Sequence, residues 1–254
     1  MKINRRFLAI GLGAFAALAC VFFLVDGISR TTLEIRELVV TGESDTRAVA
    51  DVRRAVQGEL TGGFFTQDLQ AVRRAVERLT WVKSATVARI WPDSISVTVT
   101  RLEPVARWDD GRLVSQEGVV FMPLVEESSK ATSLPLILAD TVEYAPQAVR
   151  FLTRFEAIAL KIGARVQSVA VSYRGSWTVS LLMPRGLKLR IELGRAVSSD
   201  AVFERLQLVL DNYKQVCQTL RGCPSFIDAR YENAFAARWP NSQFENNEVR
   251  QGDR

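Results

Sequence analysis

The side chains that most often carry catalysis or hold metals are few in this chain and are poorly arranged for either task. The 254 residues include no histidine, which removes the commonest general base and the commonest metal ligand. The motifs of nucleophilic hydrolases, P-loops and zinc proteases are absent from the sequence. Asp109 with Asp110, and Glu126 with Glu127, are adjacent carboxylates in turn-like or loop sequence, where solvated turn residues are the simpler interpretation. We therefore expect no enzyme, no metal, no cofactor and no small-molecule substrate.

The three cysteines are the other reactive side chains. Cys217 and Cys223 are six residues apart across a Gly-Cys-Pro turn. In an oxidising compartment they either pair or remain two thiols. A pair would form a local clip around a short loop, so we expect both to be dispensable for folding.

An apolar run over residues 7–25 predicts a transmembrane helix. Its 19 uncharged residues would extend about 28 Å as a helix, close to the ~30 Å of a bilayer core. Three basic residues precede the run and Asp26 follows it, so the positive-inside bias makes residues 1–6 a cytoplasmic tail and places the rest across the membrane. A cleaved signal peptide, and a lipoprotein acylated at Cys20, are the alternatives.

The net charge does not indicate a nucleic-acid-binding protein. The chain has 33 Lys and Arg against 28 Asp and Glu, with a pI of 9.4. Because three of the basic residues precede the apolar run, the remainder is nearly neutral, and it contains no long basic block.

After a polar tether at residues 26–32, hydrophobic periodicity predicts a small domain over residues 33–102. Its order is β-α-α-β-β, with the first helix capped by Ser44 or Asp45 and the second by Thr66. The last strand alternates strictly between apolar and polar residues, as a half-buried strand does. Three strands leave a sheet face that two amphipathic helices can cover.

Residues 103–239 predict a second domain that is rich in short strands and contains two helices. One helix begins at Pro146, which suits the first helical position, and the other begins near Ser199. A final strand is predicted over residues 226–239. Residues 240–254 are polar and predict a disordered tail. The expected fold class is α+β.

Several stretches form an ordered set along the chain. Residues 64–108 contain a Phe-Phe loop, an amphipathic helix, an Arg-x-Trp-Pro turn, an alternating strand and Glu-Pro-Val-Ala-Arg-Trp. Residues 193–195 are Leu-Gly-Arg, and residues 228–239 run from Asp-Ala-Arg-Tyr to Ala-Ala-Arg-Trp. Together these stretches resemble the FtsQ/DivIB family of bacterial cell-division proteins.

The resemblance implies one transmembrane helix, a POTRA domain and a second, β-rich domain in the periplasm. It further implies a non-catalytic scaffold in the bacterial inner membrane at the division septum. Such a scaffold binds FtsB and FtsL and helps to recruit the septal synthase pair FtsW and FtsI. In members of this family, the last strand of the β-rich domain pairs with a segment of FtsB, which adds a strand to the sheet.

The resemblance also implies which residues bind the partner. Arg195 matches the arginine of the Leu-Gly-Arg motif, and Arg230 and Tyr231 match the Arg-Tyr pair of the final strand. Trp239 matches the closing tryptophan, and Asn233 falls where some relatives have serine. An arginine can pair with an acidic partner side chain, and aromatic rings supply buried area. The alternative for Tyr231 and Trp239 is packing against the last helix of the protein itself.

Two other functions compete with the scaffold. A POTRA-bearing transport or outer-membrane assembly component would need several POTRA repeats or a barrel-forming domain, and the sequence shows no tandem repeats. A cell-wall enzyme would need a nucleophile and an activating base, and no motif provides them.

Overall fold

The computed structural model describes residues 15, 17–22, 34–124, 131–195, 199–219, 222–231 and 234–240. The chain divides into two compact units, Met1–Arg101 and Leu102–Arg254. Within the described part of the chain, no helix combines the length and the apolar character that a membrane crossing needs. The predicted tail at residues 1–6, the tether at 26–32, residues 241–254 and most of the predicted span at 7–25 lie outside the described residues.

The first unit has the β-α-α-β-β order that its sequence predicts. Its elements are β1 (Glu37–Thr41), α1 (Thr46–Gln57), α2 (Leu69–Glu77), β2 (Val82–Ile90) and β3 (Ser94–Arg101). The strands form a sheet of order β1-β3-β2, in which β1 is parallel and β2 antiparallel to β3. Val52 and Val56 of α1 and Val72 and Val76 of α2 are fully buried, as amphipathic helices against a sheet require.

The predicted start of α2 is wrong by two residues. Asp68 is the N-cap, because its carboxylate accepts hydrogen bonds of 2.8 and 3.1 Å from two backbone N–H groups of the first turn. The hydroxyl of Thr66 instead accepts a hydrogen bond from the N–H of Gly63 at 3.0 Å and so holds the preceding loop. At α1, the side chain of Asp45 forms the cap.

The second unit is built on one sheet with two helices on it. The strands are β4 (Pro104–Trp108), β5 (Leu113–Ser115), β6 (Val120–Phe121), β7 (Leu136–Ala139), β8 (Arg165–Val171), β9 (Ser176–Leu182), β10 (Lys188–Arg195), β11 (Phe226–Asp228) and β12 (Ala236–Arg238). The helices are α3 (Ala145–Leu160) and α4 (Ser199–Thr219). The described strands follow the order β12-β11-β10-β9-β8-β7-β4-β5-β6. The α+β fold class is confirmed.

Aromatic rings fill the core between this sheet and its helices. Phe151 and Phe155 of α3, Trp177 of β9 and Phe203 of α4 are all buried. The ring centroid of Phe151 lies 4.2 Å from that of Trp177, and the centroid of Phe155 lies 5.4 Å from that of Phe203. These contacts join both helices to the middle of the sheet.

The predicted final strand over residues 226–239 is wrong, because the chain reverses inside it. The strand β11 pairs with β10 in parallel, and β12 then returns antiparallel along β11. A carboxylate oxygen of Asp228 accepts a hydrogen bond from the N–H of Arg230 at 3.1 Å. This local bond is typical of an Asx turn and ends the strand. Arg230 and Tyr231 therefore lie in the connection between two short strands.

Candidate partner-binding edge

The strand β12 forms one edge of the described sheet. It pairs with β11 in the register Phe226↔Arg238, Ile227↔Ala237 and Asp228↔Ala236. Its other side has no neighbouring strand within the described residues. An exposed edge presents backbone groups that an extended segment of another chain can bind.

Arg195 lies at the end of β10 and points to solvent. The carbonyl oxygens of Leu193 and Arg195 accept hydrogen bonds of 2.7 and 3.3 Å from Nη1 of Arg205, so α4 fixes this strand end. Gly194 has a φ of +74° beside a bulge in the pairing with β9. Among the described residues, the guanidinium of Arg195 has no ion-pair partner.

Arg230 is already paired within the protein. Its Nε donates to Oδ1 of Asp228 at 2.8 Å and its Nη2 donates to Oδ2 at 2.6 Å. The side-chain hydrogen bond from Arg230 lowers the pKa of Asp228, and the same bond raises the pKa of Arg230. Because the pKa of Asp228 is depressed, this pair is intact at neutral pH and is lost only as the pH falls through the lowered pKa.

The two aromatic residues of the predicted site differ in burial. Tyr231 is 60% exposed, so its ring does not pack into the unit. Trp239 is half-buried, and its Nε1 donates a hydrogen bond to the carbonyl oxygen of Gly222 at 2.9 Å. This hydrogen bond joins Trp239 to the loop that follows α4, the last helix of the unit. Asn233 lies outside the described residues.

The predicted residues flank β12 at both ends. Arg230 and Tyr231 follow Asp228, which pairs with the first residue of β12. Arg195 lies at this same end, because Gly194 is packed against the side chain of Arg230. Trp239 follows the last residue of β12 and so marks the opposite end. The structure therefore gathers three of the five residues at one end of the edge and places Trp239 at the other.

An open groove lies beside the segment that leads into β12. Its volume is about 480 Å³, and its lining includes Leu208, Asn212 and Val216 of α4 together with Ala234 and Phe235. The groove is partly apolar, so it can accept a side chain of a strand or helix that docks along the edge.

Of the two alternatives for the C-terminal cysteines, the structure has the pair. Cys217 and Cys223 form a disulfide with a Cα–Cα distance of 4.3 Å. Within the loop, the N–H of Gly222 donates to the carbonyl oxygen of Cys217 at 3.1 Å. Because the carbonyl oxygen of Gly222 accepts the hydrogen bond from Trp239, the disulfide loop supports one end of the edge.

We expect the double variant Cys217→Ser/Cys223→Ser to fold, with a free energy of unfolding lower by about 2 kcal/mol. A loop of this length removes only a modest amount of chain entropy from the unfolded state. Urea unfolding of the full chain in detergent, followed by circular dichroism, measures the difference. Failure of the variant to fold would show that the loop is essential.

Gly194→Ala should destabilise the protein by roughly 1–2 kcal/mol, because a Cβ is strained at positive φ. The added Cβ would also lie 3.2 Å from Cγ of Arg230. Gly175→Ala is the matched control, since Gly175 has a φ of +73° and nothing within 4 Å of the Cβ position. Both variants should lose stability in urea unfolding, but only Gly194→Ala should weaken partner binding. Equal effects on binding would mean that the position of Arg230 is unimportant.

Three contributors to this edge were missed by sequence reasoning. Asp228 orients Arg230, Arg205 holds the end of β10, and Gly222 accepts the hydrogen bond from Trp239. The Asp-x-Arg spacing was a usable signal, because an aspartate commonly bonds the backbone two residues on. The contacts of Arg205 and Gly222 depend on tertiary packing and have no local signal.

The fold defines a class of protein: a POTRA domain followed by a β-rich domain. The family model "POTRA domain, FtsQ-type" matches residues 33–100, and the model "Cell division protein FtsQ/DivIB, C-terminal" matches residues 106–230. The second match ends at Arg230, so Tyr231, Asn233 and Trp239 lie beyond it.

Relatives match over most of the chain. The Cell division protein FtsQ of Burkholderia pseudomallei (strain K96243) is 31% identical over 95% of both chains. That of Allochromatium vinosum is 32% identical over 84% of this chain and 81% of the relative. That of Escherichia coli (strain K12) is 30% identical over 82% of this chain and 73% of the relative. The chain belongs to the FtsQ/DivIB family and is a cell-division protein, so the transport and cell-wall-enzyme alternatives lose their support.

Proposed function

We propose that this protein is a non-catalytic scaffold of the division machinery that binds partners of the FtsB and FtsL type. Through them it engages FtsW and FtsI, and it links early division proteins to septal cell-wall synthesis. The observation that carries the proposal is the outer side of β12, which has no neighbouring strand in the part of the chain that the structure describes, with exposed Arg195 and Tyr231 at one end. A segment added to this edge gains main-chain hydrogen bonds, and the neighbouring side chains give it specificity.

The charges at this edge favour an acidic residue in the partner. Arg195 has no ion-pair partner among the described residues, so a carboxylate that binds it gains a charge-assisted hydrogen bond without breaking another. Arg230 shares its guanidinium with Asp228, so a partner carboxylate there gains less. The exposed ring of Tyr231 supplies apolar area next to Arg230.

We further propose that residues 7–25 anchor the protein in the bacterial inner membrane as a single span. The N-terminus would then lie in the cytoplasm, and both folded units in the periplasm at the division septum. The length of the apolar run and the basic residues before it support this orientation. The disulfide between Cys217 and Cys223 suits an oxidising compartment.

The direct test is purification of the tagged full chain from membranes of its own bacterium. FtsB- and FtsL-type proteins should be the major partners identified by mass spectrometry. Recovery of an outer-membrane assembly machine in their place would overturn the proposal and favour transport.

Arg195→Glu should weaken binding of the FtsB-type partner by roughly tenfold, because it replaces an attractive pair with a repulsive one. Lys188→Glu is the matched control, since it makes the same charge change at the other end of β10 and should leave the affinity unchanged. An acid-to-base change in the partner should restore binding to Arg195→Glu. Equal losses in both variants, measured by titration in detergent, would point to a general charge effect.

A further inference from the structure

Three exposed apolar side chains lie at one end of the POTRA domain. Phe65, Ile90 and Trp91 are 61, 44 and 79% exposed; we call them the aromatic tip. Nε of Arg89 donates to the carbonyl oxygen of Phe64 at 2.6 Å, and its Nη2 donates to that of Phe65 at 3.2 Å. These bonds fix the Phe-Phe loop beside the end of β2, where Ile90 is the last residue and Trp91 follows it.

Buried residues and hydrogen bonds beneath the aromatic tip keep its side chains exposed. Phe64 is buried, and its ring meets that of Phe65 edge to face with centroids 5.2 Å apart. Gln67 is also buried, and its side chain bonds the backbone at Gly62 and Glu59. A loop fixed at this many points does not withdraw Phe65 into the core, so the ring is presented outward.

The aromatic tip lies where the chain enters the domain. The N–H of Arg36 donates to the carbonyl oxygen of Asp93 at 2.9 Å, and Glu37 pairs with Ser94 at the start of β1. The turn that carries Trp91 is therefore next to the first residues of the domain. Only ten residues, 26–35, separate Arg36 from the apolar run, and they reach at most about 35 Å when fully extended.

We propose that the aromatic tip inserts into the headgroup layer of the membrane that the apolar run spans. This inference rests on the proposed single-pass anchor. Tryptophan and other aromatic rings favour this layer because one part of the ring system is apolar and, in tryptophan, an N–H can stay hydrated. The short tether keeps the tip at high local concentration near the bilayer, so even a weak contact with the headgroup layer is occupied most of the time.

The charges near the aromatic tip indicate that apolar insertion drives the contact. Arg36 lies close to Asp93, with 3.9 Å between Nε and a carboxylate oxygen. Glu34 and Glu37 are exposed beside them, so the surroundings carry no excess of positive charge. The contact should therefore form on phosphatidylcholine alone and gain nothing from anionic lipid.

Tryptophan fluorescence tests this in the full chain. The chain has five tryptophans and none before residue 81, so the apolar run contributes no signal. Trp81, Trp108 and Trp177 are buried and Trp239 is half-buried, which leaves Trp91 as the accessible one. In phosphatidylcholine vesicles that contain lipid brominated near the headgroup, the bromine should quench the tryptophan fluorescence of the protein. Trp91→Phe should lose most of this quenching, and Trp239→Phe should keep it.

A second pair of variants separates insertion from mere nearness. Phe65→Ser should reduce the quenching at Trp91 at least twofold, whereas Val119→Ser, an exposed apolar residue of the second unit, should not. In one outcome, the full chain floats with the vesicles while aqueous iodide, and not brominated lipid, quenches the fluorescence of Trp91. That result would overturn the tip contact and leave the anchor standing. A chain that does not float overturns the anchor and the tip contact together.

Discussion

Tyr231→Ala is expected to weaken binding of the FtsB-type partner by about 2 kcal/mol, or roughly thirtyfold. The ring is 60% exposed beside β12, which has no outer neighbour among the described strands, and an aromatic ring that a bound partner buries is a common hot spot. Nothing in the unit depends on the ring for packing, so the free energy of unfolding should change by less than about 0.5 kcal/mol. Titration of the full chain with the purified partner in detergent measures the affinity.

Leu187→Ala is the matched control for Tyr231→Ala. Leu187 is a 46% exposed apolar residue of the same unit, but it precedes β10 and so lies at the opposite end of that strand from Arg195. Its truncation should leave the affinity unchanged. If Tyr231→Ala binds normally, or if it unfolds the second unit, the partner binds elsewhere and this connection is structural.

Phe155→Ala should lower the free energy of unfolding of the second unit by about 3–5 kcal/mol. Phe155 is fully buried, and its ring contacts Phe151 of the same helix and Phe203 of α4. Alanine would leave a cavity between two helices and the sheet, and the fixed rings around it cannot collapse fully into the space. Hydrogen exchange should show faster opening throughout residues 102–195.

Leu160→Ala provides the comparison for this core variant. Leu160 ends the same helix but is 57% exposed, so its truncation should cost less than about 0.5 kcal/mol. Both variants change one large apolar residue of α3 to alanine, one at a buried position and one at an exposed position. A loss below 1 kcal/mol for Phe155→Ala would show that the aromatic cluster contributes little to the stability of this unit.

The POTRA domain was predictable because its signals are local. Helix periodicity, strand alternation and turn residues each act within about ten residues, and they give the order of elements correctly. The start of α2 was missed because two candidate caps, Thr66 and Asp68, are close together. Which of the two residues caps the helix depends on the hydrogen-bond partner of the Thr66 hydroxyl. That partner is the N–H of Gly63 in the preceding loop.

The end of the second unit was harder, because its pairing is not local. Residues 226–239 contain strand-forming residues with no glycine or proline, so periodicity alone gives one strand. The reversal depends on the carboxylate of Asp228, which bonds the backbone and the side chain of Arg230. The parallel pairing of β11 with β10 joins residues more than thirty positions apart, and no local pattern encodes it. The candidate partner site was therefore predicted by resemblance alone, and only the structure gives the geometry of its residues.

The edge strand β12 is three residues long, and this brevity has a consequence for assembly. A long, flat edge would recruit any extended chain, including another copy of the same protein, and would invite open-ended polymerisation. Three residues offer too few backbone groups for such promiscuous growth. Under the proposed function, a ligand would also have to contact the flanking arginine and tyrosine to stay bound. The short edge would then end the sheet for most chains and admit one occupant.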